Sequence, residues 1–162
     1  MSISTNNRRL FIARHGETVF NKVARMQGQA ELHTPLTWGG CVQAREMGRA
    51  LAEYLGPDVR PQLWSSTAGR ALQTLALIAE EIDADWHATN RDDLLLEIDV
   101  GLWSGRTYAD IAAEIGPIVD VEHKLFSVRP EGGEYYGDVA QRLLHWLREL
   151  PFDQDMLIIC HG

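Results

Sequence analysis

Hydrophobic positions along the chain fall into two alternating patterns. Short apolar runs at residues 9–13, 62–65 and 156–160 read as buried strands, the last of them apolar throughout. Between them, apolar residues recur three and four apart, the spacing of one helix face. Thr37 is placed to cap a helix carrying Ala44, Met47, Gly48, Leu51, Tyr54 and Leu55, which stops at Gly56-Pro57. Residues 67–82 read as the next helix, with Ala71, Leu72, Leu75, Ile78, Ala79 and Ile82 on one side. Thr107 precedes a short helix with Tyr108, Ile111, Ala112 and Ile115, closed by Gly116-Pro117. Residues 139–150 form the last, with Val139, Leu143, Trp146, Leu147 and Leu150 inward and Pro151 behind it. Residues 86–88 and 94–96 add two short strand candidates. Residues 21–35 lack a period and read as a long loop.

Strands alternating with helices predict an α/β fold, a three-layer α/β/α sandwich with a mostly parallel central sheet. In such sheets, sites gather beyond the carboxyl ends of the strands. That rule selects Arg14 and His15 after the first strand, Ser65, Ser66 and Arg70 after the second, and His161 after the last. Singly, a strand-end Arg is a solvated charge and a His a packing side chain. Two of each at strand ends make a cationic cluster whose natural ligand is an anion.

Composition sharpens this. The 162 residues suit one domain, and 45% hydrophobic with 23% charged residues is a globular balance. The net charge of −8 argues against a nucleic-acid partner. Of the 15 basic residues all but Lys22 and Lys124 are Arg, the side chain that grips phosphate two-pronged. Residues 1–7 are polar, with no apolar stretch of a secretion signal, and no run is long enough to span a membrane. Cys41 and Cys160 form no metal-type pair, and a reducing cytoplasm is expected. His33, His87, His123 and His145 lack metal spacing, so no metal and no cofactor is expected. Tyr108 and Trp146 read as core, and Ser65 and Ser66 as turn or cap residues.

Arg14-His15-Gly16-Glu17-Thr18 with Asn21 resembles the signature of the histidine phosphatase superfamily, the phosphoglycerate mutase-like proteins. Further segments resemble it in the family's order. They are Leu36-Thr37 with Gly40, Gln43-Ala44 and Gly48, then Ser65-Ser66-Thr67-Ala68-Gly69-Arg70-Ala71 with Gln73-Thr74. Leu96-Glu97 with Gly101-Leu102-Trp103 and Gly105, then Pro130-Glu131-Gly132-Gly133-Glu134, then His161-Gly162 complete the set. The resemblance implies one histidine phosphatase-like domain over residues 1–162. It also implies that the family's chain continues beyond His161-Gly162, so that a C-terminal segment is missing here.

The resemblance further implies His15 as nucleophile, His161 as donor to the phosphoryl group and Glu97 as proton donor. Arg14 and Arg70 would clamp the phosphoryl oxygens, and Asn21 and Gly28 would line the phosphate loop. The implied activity is metal-independent hydrolysis of a small-molecule phosphomonoester through phosphohistidine. The segment after Glu97 resembles the phosphatase branch. The alternatives are a mutase, an isomerase that returns the phosphoryl group to the substrate, and a non-catalytic phospho-ligand module. A proton donor near neutral pH needs a raised pKa, which the cationic cluster opposes, so bound phosphate is expected to supply part of the rise. Trp103 is placed to brace the Glu97 loop, and Tyr135 stands where many relatives carry a small hydroxyl residue.

Overall fold

The computed structural model describes residues 3–162. Its four strands, β1 (Leu10–Arg14), β2 (Gln62–Ser66), β3 (Asn90–Asp92) and β4 (Met156–Cys160), form one parallel sheet in the order β1-β4-β2-β3. The helices are α1 (Val19–Lys22), α2 (Trp38–Leu55), α3 (Gly69–Glu81), α4 (Tyr108–Ile115) and α5 (Tyr136–Glu149). β4 lies inside the sheet with a helical layer on each side, which is why its residues are apolar without alternation.

On one face α3 sets Ala71, Leu75, Ile78 and Ala79 against Leu63, Leu157 and Ile159, with Met47 and Leu51 of α2 joining them. On the other face Trp146 of α5 and Leu150 just after it meet Met156, Ile158 and Leu95. A third cluster lies to the side, where Met26, Ile98, Val100, Trp103, Ile111 and Ile118 pack beneath α4. The layers are those expected.

Local chemistry sets the boundaries. Thr37 Oγ1 accepts from Gly40 N at 3.0 Å and Thr107 Oγ1 from Asp110 N at 3.1 Å, capping α2 and α4 as their sequences indicate. The third strand is not at either expected position. Residues 86–88 and 93–95 are 3₁₀ turns, started by Asp85 and Asp92, whose carboxylates accept from His87 N and Leu94 N at 2.9 Å. The strand is the polar Asn-Arg-Asp between them, paired to β2 at the sheet edge. Four residues of the expected long loop's approach, Val19–Lys22, are helical. α5 begins at Tyr136, where Asp138 Oδ2 accepts from Tyr135 N at 2.8 Å.

Register positions the site. Arg14 is opposite Cys160, and Ser65 is opposite Ile159. His15 and His161, which follow β1 and β4, and Ser66, the last residue of β2, therefore lie at one end of three adjacent parallel strands. β1 has β4 as its sheet partner and exposes Ile12, which is 65% accessible.

Candidate active site

The loop after β1 is built on two glycines in contact. A Cβ on Gly16 would lie 2.4 Å from the Gly40 carbonyl oxygen, so the loop can lie against the start of α2 only without side chains. Gly16 N donates to Thr74 Oγ1 at 3.0 Å, tying the same turn to α3. These contacts hold His15, which is 5% exposed, and its Nδ1 lies 2.8 Å from Gly16 O. A carbonyl only accepts, so Nδ1 carries the proton and Nε2 the lone pair. Nε2 is buried without a partner. Burial, reinforced by the Arg70 and Arg14 charges, lowers the His15 pKa to about 4, and the ring is neutral near pH 7.

The His161 ring packs edge-on to that of His15, centroids 5.2 Å apart. Its Nε2 lies 2.9 Å from Ser66 Oγ, and its Nδ1 is buried, 3.8 Å from Glu97 Oε2. Burial, then the charges of Arg70 and neighbours, pushes its pKa down to about 2.

Arg70 is fully buried at the start of α3, and its Nη1 donates to Glu31 O at 2.9 Å. Its Nε and Nη2 have no partner and form a free fork. A buried donor pair left open in this way has the geometry to receive an oxyanion. Arg14 is exposed at the end of β1 and makes no hydrogen bond or ion pair among the described residues. Asn21 lines the cavity, its Oδ1 accepting from Thr18 N at 3.0 Å. Gly28 does not line it. A Cβ there would meet Val100 N at 2.8 Å, so Gly28 permits close packing under the segment that follows Glu97.

Glu97 accepts from its neighbour Ile98 N at 2.9 Å. Burial raises its pKa, against the opposing pull of Ile98 N–H, Arg70, Arg14 and Arg142. Desolvation therefore outweighs the arginines before any phosphate is bound, which answers the tension posed by the sequence.

The Glu97 peptide is held by residues that the sequence did not single out. Its carbonyl accepts from Gln29 Nε2 at 3.1 Å and Arg142 Nη2 at 3.0 Å. Arg142 in turn pairs with Glu134, Nε to Oε1 at 2.8 Å, and Glu134 Oε2 accepts from Asp99 N at 3.0 Å. The helix pattern carried a signal for Arg142. It lies three residues after Val139 and one before Leu143, on the inward face of α5.

Trp103 packs with Ile98 and Val100 and braces this loop. Tyr135 is engaged elsewhere, its hydroxyl donating to Phe126 O at 3.0 Å. Tyr108, read as core, is instead 40% exposed and lines the cavity, since it opens α4 at the mouth of the site. Trp146 is core. His33, His87, His123 and His145 are exposed.

Arg14, Asn21, Glu97, Tyr108 and His161 border a cavity of about 500 Å³ that also meets Arg25, Lys124, Tyr136 and Leu143. His15, Glu97 and His161 present ligand atoms within 4.8 Å of one another, the set able to hold a metal ion among the described residues. The Arg70 charge, felt at all three, opposes a divalent cation there. The residues expected as nucleophile and acid, His15 and Glu97, are thus brought together.

The profile of the Histidine phosphatase superfamily (branch 1) matches residues 10–162. The chain belongs to this superfamily. Among its histidine phosphatase relatives is the 6-phosphofructo-2-kinase/fructose-2,6-bisphosphatase of Aquarana catesbeiana, 28% identical over 99% of this chain and 32% of that protein. The fructose-2,6-bisphosphatase of Saccharomyces cerevisiae is 27% identical, over 99% of this chain and 33% of that protein. The chain thus spans about a third of the length of the curated relatives it matches. Among solved structures, Mycobacterial hydrolase 1 superposes with a TM-score of 0.74 at 30% identity, covering 96% of this chain and 73% of that one. A mycobacterial glucosyl-3-phosphoglycerate phosphatase complexed with VO3 superposes with a TM-score of 0.72 at 28% identity, covering 96% and 76%.

Proposed function

We propose that this histidine phosphatase domain hydrolyses a small phosphorylated metabolite through a phosphohistidine at His15. The observation that carries the reading is the unpartnered Nε2 of a neutral, buried His15 beside the unpartnered Nε and Nη2 of Arg70. In the first step the Nε2 lone pair attacks phosphorus and the P–O bond to the leaving group breaks. Glu97, whose pKa burial raises, gives its proton to the departing oxygen. In the second step Glu97 takes a proton from water as its oxygen attacks phosphorus, the P–N bond breaks and phosphate leaves. Arg70 and Arg14 hold the phosphoryl oxygens throughout, and Asn21 borders them. Gly28 serves by letting the Glu97 segment close on the site.

Substrate class follows from charge. Arg14, Arg25 and Lys124 line the cavity against a single acid, Glu97, in a chain of net charge −8. That surplus suits a leaving group with a further anionic group, as carried by the bisphosphate and the phosphoglycerate named for two of the relatives. Cytoplasmic location accords with such a substrate, and among the described residues no helix is long and apolar enough to cross a membrane.

The test is a turnover with radiolabelled phosphomonoester, quenched in alkali, where phosphohistidine survives. Label is expected on His15, free phosphate as the product, and undiminished turnover in EDTA. An isomerised ester would identify a mutase, and binding without either product a phospho-ligand module. Full activity of His15→Ala would exclude the mechanism.

A further inference from the structure

We propose that Ser66 is a positioning residue that fixes which nitrogen of His161 carries the ring proton. Ser66 is fully buried at the end of β2, its Oγ 2.9 Å from His161 Nε2. A hydroxyl has one proton to give and two lone pairs to offer. One lone pair accepts from Ala68 N at 3.3 Å. Among the described residues, the hydroxyl proton finds one acceptor, His161 Nε2. Ser66 therefore donates to Nε2, and the proton of the neutral imidazole lies on Nδ1. That nitrogen is the one without a partner, buried and facing Glu97 across 3.8 Å.

The two histidines are thereby given opposite tasks by their partners. Both carry the proton on Nδ1, but the rings are held by different atoms. A carbonyl holds His15 by Nδ1 and leaves its lone pair facing the site. A hydroxyl holds His161 by Nε2 and leaves its N–H facing the site. In the other tautomer of His161, Nδ1 would turn a lone pair toward phosphoryl oxygens and repel them. The ring can donate here without being charged, which matters because burial among arginines disfavours the imidazolium. The consequence for turnover rests on the phosphatase reading above, whereas the tautomer does not.

The test is a two-bond proton–nitrogen correlation spectrum of the intact, histidine-labelled chain near neutral pH. His161 is assigned by its absence in His161→Gln. The expected pattern is protonated Nδ1 and bare Nε2. In Ser66→Ala the population should move toward protonated Nε2, and kcat on an aryl phosphate should fall about 10–100-fold, the scale of outer-shell losses. Orthovanadate inhibition should weaken by the same order, and Ser66→Thr should restore the Nδ1–H signal and most of the rate. Protonated Nε2 in the wild type, which needs no variant to fold, would overturn the proposal, as would an unchanged tautomer in Ser66→Ala. Bare Nε2 on His161 with no label on His15 would confirm the tautomer and reject the phosphatase reading.

Discussion

Replacing Arg70 by Met should separate activity from stability, and the structure sets both magnitudes. Arg70 is fully buried and uses one of its three nitrogens, Nη1, on the Glu31 carbonyl. Nε and Nη2 have no partner. In the complex they would make two charge-assisted hydrogen bonds, each worth about 1.5–3 kcal/mol. Losing both costs about 3–6 kcal/mol of transition-state binding, and at about 1.4 kcal/mol per tenfold, kcat/KM should fall roughly 10²–10⁴-fold. Arg70→Lys keeps a charge but not the fork, and should fall about 10–100-fold. Stability should move the other way. Burial lowers the Arg70 pKa despite the nearby Glu97 and Glu31, so the unliganded protein bears a charge only partly offset, which a side chain of similar length removes. The measurement is kcat/KM on an aryl phosphate alongside the melting temperature of the unliganded protein. Arg70→Met within tenfold of the wild type in kcat/KM would refute the oxyanion fork. A large fall in melting temperature would show that Arg70 is a structural pillar instead.

Glu97→Gln should lower kcat about 10²–10⁴-fold for poor leaving groups, the scale of general-acid catalysis, and less for aryl phosphates that depart without protonation. Equal losses across leaving groups, with phosphorylation rate-limiting, would count against the assignment. The two histidines should make stability acid-sensitive. Their folded pKa values, about 4 and about 2, lie below the ordinary value of 6.5, so the unfolded chain binds more protons. Stability is full above pH 6.5 and falls as pH drops toward about 4 and below, with a slope of up to about 1.4 kcal/mol per pH unit per histidine. Chemical unfolding from pH 7 to 5 should therefore be steeper in the wild type than in His15→Gln. Glu97 has the opposite sign. Its raised pKa removes stability as pH climbs through its folded value, so Glu97→Gln should raise the neutral-pH melting temperature.

The layers and strand ends were legible because burial writes itself as apolar spacing. β4 and α3 are apolar where they are covered, and the strand-end rule then placed His15, Arg70 and His161 with no geometry in hand. β3 was not legible, because an edge strand of Asn90, Arg91 and Asp92 buries no alternating face. Gly28 shows the limit of motif reading, since it serves the site by packing under the Glu97 segment. The support beneath Glu97 was legible only in part. Arg142 interrupts the inward face of α5, a sign of a buried polar contact, but its partner Glu97 lies 45 residues away and only the fold joins them.

Strand order has a consequence for the history of each molecule. β1 and β2 are not neighbours; β4 stands between them, and Arg9 meets Asp155 across 146 residues of chain. During synthesis at about 5–20 residues per second, β1 waits many seconds for its partner β4, while β2 can meet β3 much sooner. Such distant closure is slow, and the helices α2 and α3 can form long before it. The same insertion that seats β4 brings His161 beside His15 and Ser66. On the proposed reading, phosphoryl chemistry is thus withheld until β4 is seated, and the first turnover of a molecule would report that its sheet has closed.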